Sequence, residues 1–240
     1  MTEEKSRIGR LYGVGVGPGD PELLTLKAAR ILAEVPVIFV PQKANESDSL
    51  AKAIIRDVVS KSKPEIVGLV FPMLRDKELL AKHWHEAAET IWQYLSAGKD
   101  CAFVNLGDPL IYGTFIHVLE TLKKSYPEVD VEVIPGVSSI NAAAARGLVP
   151  LAVDDDRVAI ISSSCEDKFI REVLENFDTV VFMKVNMTFD RVFDILEDLG
   201  LTEKCLYARR CTTEDEEIVR GISNLKGQKL DYFSLLIVRK

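Results

Sequence analysis

Short runs of apolar residues alternate along the chain with longer segments in which apolar residues recur every three or four positions. The short runs are rich in Val, Ile and Leu without regular polar positions, which is typical of strands covered on both faces of a parallel sheet. The longer segments predict amphipathic helices, in which apolar side chains share one stripe. The pattern predicts strands at 11–16, 37–40, 65–70, 101–106, 131–134, 157–162, 179–183, 204–208 and 235–238, and helices at 21–34, 80–97, 169–177 and 189–199.

Alternation of strands and helices over the whole length predicts an α/β fold. The sequence Gly-Leu-Val-Pro at 147–150 separates the first five predicted strands from the remaining four, and an acidic loop follows it at 154–156. We therefore expect two α/β domains. The N-terminal domain, residues 1–148, would hold the glycine-rich loops, and residues 149–240 would form the C-terminal domain.

Composition and charge exclude several classes of protein. The net charge of −7 argues against nonspecific nucleic-acid binding, which needs a dominant basic surface. No apolar run reaches the roughly 18 residues of a membrane helix, and residues 1–10 lack the apolar segment of a signal peptide. We expect a cytoplasmic protein that binds neither nucleic acid nor membrane. The four cysteines form no Cys-x-x-Cys pair and are interpreted as core residues, not as a disulfide or zinc site.

Three glycine-bearing segments directly follow predicted strands. They are Gly-Val-Gly-Val-Gly-Pro-Gly-Asp-Pro at 13–21, Leu-Gly-Asp-Pro at 106–109 and Pro-Gly-Val-Ser-Ser at 135–139. Glycine allows a ligand to approach bare backbone, and ligands of open parallel sheets bind at the carboxyl ends of the strands. Gly, Asp and Pro are also common in ordinary strand-to-helix turns, where Asp caps the helix and Pro opens it. Three such segments in one half of the chain favour a ligand site.

Two common nucleotide sites do not fit these segments. A phosphate-binding loop of the Walker type requires Gly-Lys-Ser/Thr, which the chain lacks. A dinucleotide site requires an acidic residue at the end of the second strand, where the chain reads Val-Pro-Gln-Lys at 40–43. A nicotinamide-dependent dehydrogenase is therefore disfavoured.

The glycine-bearing segments closely resemble the signature sequences of the tetrapyrrole methylases. The resemblance rests on residues 15–28, 106–113 and 135–139, in matching order and spacing, and it continues to the C-terminus. Further residues resemble the family members that methylate carbon 20 of precorrin-2 or cobalt-factor II in cobalamin biosynthesis: Phe71-Pro72-Met73, Asp76, Trp84, Ala87-Ala88 and Leu106. Gly113-Thr114 departs from the pattern of these members, in which we expect Ser-Thr.

The resemblance implies two α/β domains with a cleft between them, usually in a homodimer, that binds S-adenosylmethionine mostly through backbone groups and releases S-adenosylhomocysteine. Asp108 could instead be a helix N-cap, and Met183 a core residue at the end of a strand. Cys211 stands where relatives often have Gly or Ala before Thr212, so a small side chain is expected there. The implied cofactor-binding residues are Pro18, Leu106, Gly107, Asp108, Ile111, Ser138, Ser139, Met183 and Cys211.

Methyl transfer from a sulfonium to an electron-rich tetrapyrrole carbon needs no enzyme nucleophile. Holding the two reacting carbons in line and excluding water can supply roughly 7–11 kcal/mol. A proton must finally leave a methylated bridging carbon, so a base is possible. Asp20, Asp108 and Tyr112 are candidates by location, with Asp20 and Tyr112 preferred, although Asp20 could be only an N-cap and Tyr112 only a core residue.

The carboxylates of a tetrapyrrole require basic partners, and Arg209, Arg210 and Lys184 are the substrate-binding candidates. A solvated surface position is the alternative for the two arginines. His83 and His85 point about 200° apart on a helix of 3.6 residues per turn, so they cannot share a metal. No protein metal site is predicted, and any cobalt would arrive within the substrate.

Two alternatives remain open. The first is a tetrapyrrole methylase that acts at another ring carbon, or a relative that acts on a modified histidine or on ribosomal RNA. The second is a noncatalytic S-adenosylmethionine-binding module.

Overall fold

The first five predicted strands form one parallel sheet. The computed structural model describes residues 7–42, 49–72 and 76–240. The order across this sheet is third, second, fourth, first and fifth strand, and every neighbouring pair is parallel. All five strands therefore end at the same edge. They are β1 (Leu11–Gly15), β2 (Val37–Gln42), β3 (Glu65–Val70), β4 (Cys101–Asn105) and β5 (Val131–Ile134).

Helices cover both faces of this sheet, which explains why its strands are apolar at successive positions. Alternate residues of a strand face opposite sides. Thus Phe39 and Phe103 belong to one core and Ile38 and Val104 to the other, and all four side chains are fully or almost fully buried. Residues of α3 and α4 complete the first core and residues of α1 and α2 the second. These helices are α1 (Leu26–Glu34), α2 (Leu50–Ile55), α3 (Lys77–Ser96) and α4 (Phe115–Ser125).

The second half of the chain forms a mixed sheet. Its order is β6-β7-β10-β8-β9, with β6 and β7 parallel and β10 antiparallel to both β7 and β8. The expectation of parallel strands is wrong for this part of the sheet. Parallel neighbours need a crossover of about a dozen residues or more, and only a short connection joins β8 to its antiparallel neighbour β9. The elements are α5 (Ser139–Arg146), β6 (Val158–Ser162), α6 (Asp167–Asn176), β7 (Thr179–Met183), α7 (Phe189–Asp198), β8 (Cys205–Arg209), β9 (Glu217–Arg220) and β10 (Ser234–Arg239).

The contacts divide the chain into two units, Met1–Ser138 and Ser139–Lys240. Helix α5 belongs to the second unit because Ile140 and Ala143 share a core with Val181 and Leu206. The division therefore falls earlier in the chain than the boundary expected at 148/149, and the domain limits themselves stay a prediction. The α/β class is confirmed. Among the described residues, no helix is long and apolar enough to cross a membrane.

Neither of the first two glycine-bearing segments opens an α-helix directly after its Asp-Pro pair, where local preference favours one. Residues Pro21–Leu23 form a short 3-10 turn, and α1 begins only at Leu26, after Thr25 accepts a hydrogen bond from the Ala28 N–H at 3.1 Å. The segment after Asp108 is likewise a turn, and α4 begins at Phe115. Asp20 and Asp108 are thus turn-capping residues, not caps of α-helices.

Candidate functional site

The three glycine-bearing segments meet at one edge of the first sheet. They follow β1, β4 and β5, which are neighbours in the order β4-β1-β5. We call them loop 1 (residues 16–25), loop 2 (residues 106–114) and loop 3 (residues 135–138). Beyond the sheet, the Gly107 N–H donates to the Gly17 carbonyl at 2.8 Å, and the Val16 N–H donates to the Asn105 carbonyl at 3.0 Å. Loops 1 and 2 are therefore joined by backbone bonds, as the strand order requires.

Backbone contacts between glycines bring loop 3 into the same cluster. A Cβ atom on Gly136 would lie within 3.0 Å of the Gly107 carbonyl oxygen and of two backbone atoms of Gly15. A Cβ atom on Gly15 would collide with Gly107 and Gly136 in the same way. Real Cβ atoms do not approach backbone so closely, so these positions admit only glycine in this arrangement. The predicted convergence of the three segments within this unit is confirmed.

Asp108 links loop 2 to loop 3 through its carboxylate. Oδ1 accepts a hydrogen bond from the Leu110 N–H at 2.9 Å, and Oδ2 accepts one from the Gly136 N–H at 3.1 Å. A carboxylate that accepts two backbone N–H bonds stabilises both turns at once. Asp108 therefore has a structural role in the candidate site, and its predicted contact with a cofactor stays a prediction.

Asn105 is a residue of this site that the sequence analysis missed. It is the last residue of β4, it is 5% exposed, and its side-chain amide makes three hydrogen bonds to loop 2 and to the start of α4. The signal in the sequence was a polar residue at the end of an otherwise apolar strand, directly before Leu106-Gly107. Such a residue must find partners when it is buried.

The remaining predicted residues of loops 1 and 2 differ in exposure. Pro18 is buried, whereas Ile111 and Tyr112 are 38% and 42% exposed. Tyr112 is not a core residue, and its φ of 52° lies in the left-handed region that few non-glycine residues adopt. Asp20 accepts a hydrogen bond from the Glu22 N–H at 2.8 Å. Strained backbone such as that at Tyr112 occurs preferentially at functional sites.

The charged side chains of the three loops are all acidic. Loops 1, 2 and 3 contain three carboxylates, Asp20, Glu22 and Asp108, and no Lys, Arg or His. A phosphate-bearing ligand would meet no cationic side chain from these loops. A cationic ligand would meet only neutral or negative groups, which suits a sulfonium.

In the second unit, Met183 and Lys184 lie at the carboxyl end of β7. Met183 packs against the core that includes Leu235, and Lys184 is exposed with a left-handed φ of 61°. The Lys184 carbonyl accepts a hydrogen bond at 2.8 Å from Ser163, which is fully buried and also accepts one from Thr188 at 2.6 Å. The buried Ser163 hydroxyl thus helps to hold the backbone at Lys184 in its unusual conformation.

Arg209 ends β8 and Arg210 follows it, and both lie near carboxylates. Nε of Arg210 donates to Asp231 at 2.9 Å, and its guanidinium lies 5.7 Å from the centre of the Phe233 ring. Nε of Arg209 lies 3.2 Å from a carboxylate oxygen of Glu217 but, within the described part of the chain, has no hydrogen-bond partner of good geometry. Both arginines are thus partly exposed and lie beside carboxylates, and their role in substrate binding stays a prediction.

Cys211 is 5% exposed and lies between two strained residues. Arg210 and Thr212 have φ values of 44° and 66°. Glu216 stabilises this turn, because its carboxylate accepts hydrogen bonds from Arg146 at 2.7 Å and from the Thr212 N–H at 2.6 Å. Burial raises the pKa of the Cys211 thiol to about 11, so the thiol stays neutral at physiological pH.

Ser138 and Ser139 lie where the chain passes from the first unit to the second. Ser138 is 6% exposed and immediately precedes Ser139, the first residue of α5.

Some of the residues that resemble the carbon-20 methyltransferases have structural roles in the first unit. Asp76 caps α3 by accepting the Glu78 and Leu79 N–H groups, and Trp84 stacks on His117 at 4.3 Å, whereas Met73 lies outside the described residues.

The three histidines each lie near a glutamate of their own helix. The pairs are His83 with Glu86, His85 with Glu89 and His117 with Glu120, at 3.3–4.0 Å. In the ranges that the structure covers, no three His, Cys, Asp or Glu residues are grouped as a metal ion would require.

Comparison with known proteins identifies one family. Residues 10–224 match the Tetrapyrrole (Corrin/Porphyrin) Methylases. The chain is 34% identical to a cobalt-precorrin-2 C(20)-methyltransferase of Salmonella typhimurium, with 97% of both chains covered. It is 36% identical to a probable cobalt-precorrin-2 C(20)-methyltransferase of Methanocaldococcus jannaschii, again over 97% of both chains.

Solved structures show the same fold. A cobalt precorrin-4 methyltransferase superimposes with a TM-score of 0.71 at 23% identity, over 96% of this chain and 94% of the other. A uroporphyrin-III C-methyl transferase from Thermus thermophilus, complexed with S-adenyl homocysteine, gives a TM-score of 0.68 at 24% identity, over 96% and 92% of the two chains.

Proposed function

We propose a methyl-transfer function for this chain, which belongs to the family of tetrapyrrole methylases. The chain would transfer the methyl group of S-adenosylmethionine to carbon 20 of precorrin-2, in its metal-free or cobalt-containing form, or of cobalt-factor II. The observation that carries this proposal is the cluster of loops 1, 2 and 3, which meet through glycine backbone and contain three carboxylates and no basic residue. The names of the relatives from Salmonella typhimurium and Methanocaldococcus jannaschii support the choice of carbon and substrate.

The loop cluster fits the methyl donor by its chemistry. S-adenosylmethionine, when bound, supplies an electrophilic methyl group on a positively charged sulfur. In the first unit it would be held by residues that combine apolar surface with backbone amides and carbonyls able to form hydrogen bonds with a nucleoside. These are Pro18, Leu106, Gly107, Asp108 and Ile111. The further proposed contacts are Ser138, Ser139, Met183 and Cys211.

The protein's own contribution would be positioning, exclusion of water and removal of one proton. Asp20 and Tyr112 are proposed to receive the proton that leaves the methylated carbon. The Asp20 carboxylate accepts a hydrogen bond from the Glu22 N–H in loop 1, and Tyr112 lies in a strained turn of loop 2. A general base of this kind contributes about 10²–10⁴ in rate.

Lys184, Arg209 and Arg210 are proposed to bind the carboxylates of the tetrapyrrole. A guanidinium has five N–H donors, and Asp231 takes the one at Nε of Arg210, so further donors remain for a substrate. Glu217 near Arg209 and Asp231 near Arg210 would hold these cations in place before the substrate arrives. The proposal includes a homodimer, which the family resemblance implies, and a cytoplasmic location, which the composition leads us to expect.

The proposal is tested by incubating the protein with methyl-labelled S-adenosylmethionine and precorrin-2, cobalt-precorrin-2 or cobalt-factor II under anaerobic conditions. We expect one labelled methyl group in the product, located at carbon 20 by nuclear magnetic resonance. Methylation at another carbon would support the alternative within the family. Binding of S-adenosylhomocysteine without turnover of any tetrapyrrole would support a noncatalytic module and would contradict the proposed function.

A further inference from the structure

Asn105 is a buried polar side chain in the middle of the candidate site. The other four residues of β4, Cys101–Val104, are apolar and buried, and the strand ends at Asn105, which is 5% exposed. Burying an amide without hydrogen bonds costs several kcal/mol. The Asn105 amide is tolerated here because it finds all its hydrogen-bond partners in the segment that follows β4.

The amide uses both of its donors and its acceptor on loop 2 and the residue after it. Nδ2 donates to the Leu106 carbonyl at 2.8 Å and to the Asp108 carbonyl at 3.1 Å, and Oδ1 accepts from the Phe115 N–H at 3.4 Å. Phe115 is the first residue of α4, and Thr114 makes no capping bond with its side chain. Asn105 therefore connects the two ends of loop 2 and performs the capping that Thr114 does not.

This connection determines where Asp108 lies. The backbone of Asp108 is held by Asn105, while its carboxylate binds the Gly136 N–H of loop 3 at 3.1 Å. The backbone carbonyl of Asn105 in turn accepts the Val16 N–H of loop 1. A single residue thus has bonds to loops 1 and 2 and acts on loop 3 through Asp108.

The same side chain explains the departure at Gly113. A Cβ atom at this position would lie 2.8 Å from Asn105 Oδ1, 2.9 Å from its Nδ2 and 2.5 Å from the Pro109 carbonyl oxygen. The space that a serine side chain would take here is occupied by the amide of Asn105 and by the turn that the amide stabilises. The effect of a substitution at Gly113 is therefore expected to depend on the residue at position 105.

We propose that Asn105 is a positioning residue for the methyl-donor site, and that Gly113 is required because Asn105 and the Pro109 carbonyl together fill the volume beside it. This inference rests on the proposed function. Asn105 does not touch the donor in this proposal. It acts by fixing Leu106, Gly107 and Asp108, whose backbone groups would contact the donor.

The first test compares Asn105→Asp with wild type by calorimetric titration of S-adenosylhomocysteine, at a temperature where both proteins are folded. Aspartate keeps the volume but places oxygen against two carbonyls, so we expect the affinity to fall about tenfold or more. Asn176→Asp is the matched control, because the Asn176 side chain also donates to a carbonyl, that of Glu172, but lies exposed on α6. The control should bind as wild type does.

Unchanged affinity of folded Asn105→Asp would overturn the inference, because a purely structural residue lowers Tm without altering the dissociation constant of the folded protein. If this variant does not fold, Asn105→Ser, which retains one donor, is measured in the same way and should bind more weakly than wild type. Failure of both variants to fold would assign Asn105 to folding alone and reject the positioning role. Absence of binding by wild type would instead reject the proposed function.

The second test measures the dependence of Asn105 and Gly113 on each other. Gly113→Ser should weaken S-adenosylhomocysteine binding in the wild-type background. In an Asn105→Ser background, the contact with the amide is removed and only the contact with the Pro109 carbonyl remains, so the same substitution should weaken binding by a smaller factor. Equal factors in the two backgrounds would show that the residues act independently and would contradict the proposed pairing.

Discussion

The contact of three loops through glycine backbone predicts a severe effect of adding one methyl group at Gly136. In Gly136→Ala, the new Cβ would lie within 3.0 Å of the Gly107 oxygen and of two Gly15 backbone atoms. Overpacking of this kind typically costs about 1–3 kcal/mol. Because all three obstacles are backbone atoms that cannot rotate away, we expect the upper end of that range.

The assay is thermal unfolding with and without S-adenosylhomocysteine. A loss of about 3 kcal/mol corresponds to a fall in Tm of about 6–12 °C for a chain of this size. A ligand at about 100 times its dissociation constant stabilises the folded state by about 2.7 kcal/mol. This ligand-induced rise in Tm should be present in wild type and absent or strongly reduced in Gly136→Ala, since the loops are forced apart.

Gly68→Ala is the matched control in the same sheet. A Cβ on Gly68 would also lie within 3.0 Å of other atoms, but these belong to the side chain of Gln42, which can adopt another rotamer. We expect a cost below about 1 kcal/mol and an unchanged response to the ligand. If Gly136→Ala behaved like Gly68→Ala in both measurements, the three loops would not be in the contact described, and the site would have to be built differently.

Further predictions concern the proposed base, the thiols and acid stability. Asp20→Asn should retain the Tm of wild type, because Asn caps turns as well as Asp does. It should nevertheless lower kcat of methyl transfer by about a hundredfold or more. An unchanged kcat would show that Asp20 only caps the turn. A thiol reagent at pH 8 should label Cys165 before Cys101, Cys205 and Cys211 in mass spectrometry of the native protein, because burial raises the pKa of these three thiols to about 12, 12 and 11; equal labelling of all four would contradict their burial. The side chain of Arg239 and the Val153 N–H hold the pKa of Asp156 below its ordinary value, so this carboxylate stabilises the fold above about pH 4 and loses the effect as pH falls through its folded-state pKa. The free energy of unfolding, measured with urea, should therefore fall less between pH 5 and pH 3 in Asp156→Asn than in wild type. An equal fall in the two proteins would refute this role of Asp156.

The sheet and the convergence of the loops were predictable because they depend on local signals. Runs of Val, Ile and Leu mark buried strands regardless of what covers them, and parallel order alone brings the segments after β1, β4 and β5 to one edge. β9 was not predicted because only four residues, Glu217–Arg220, form it, and they lie at the edge of the sheet with polar residues at both ends. The antiparallel direction of β10 was also missed, since a strand carries no sign of its direction in its composition.

The interior of loop 2 was beyond sequence reasoning for a different reason. Asp108 followed by Pro109 is a good helix start by local preference, but tertiary bonds compete with that preference. The Asp108 carboxylate binds the Gly136 N–H, which is distant in sequence, and the Asn105 amide delays the helix to Phe115 by accepting its N–H. Long-range hydrogen bonds of this kind leave no periodic trace along the chain.

The distribution of charge leads to a prediction about salt. The loops proposed for the cationic methyl donor carry carboxylates only, whereas the residues proposed for the polycarboxylate substrate, Lys184, Arg209 and Arg210, carry positive charge and are at least partly exposed. Interactions between exposed charges weaken with ionic strength, because the Debye length falls from about 10 Å at 0.1 M to about 3 Å at 1 M. The KM for the tetrapyrrole should therefore rise with salt more steeply than the KM for S-adenosylmethionine. Arg209→Gln should weaken the salt dependence of the tetrapyrrole KM and leave the KM for S-adenosylmethionine unchanged. A tetrapyrrole KM that does not respond to salt would mean that these cations serve Glu217 and Asp231 alone, and that other residues bind the substrate carboxylates.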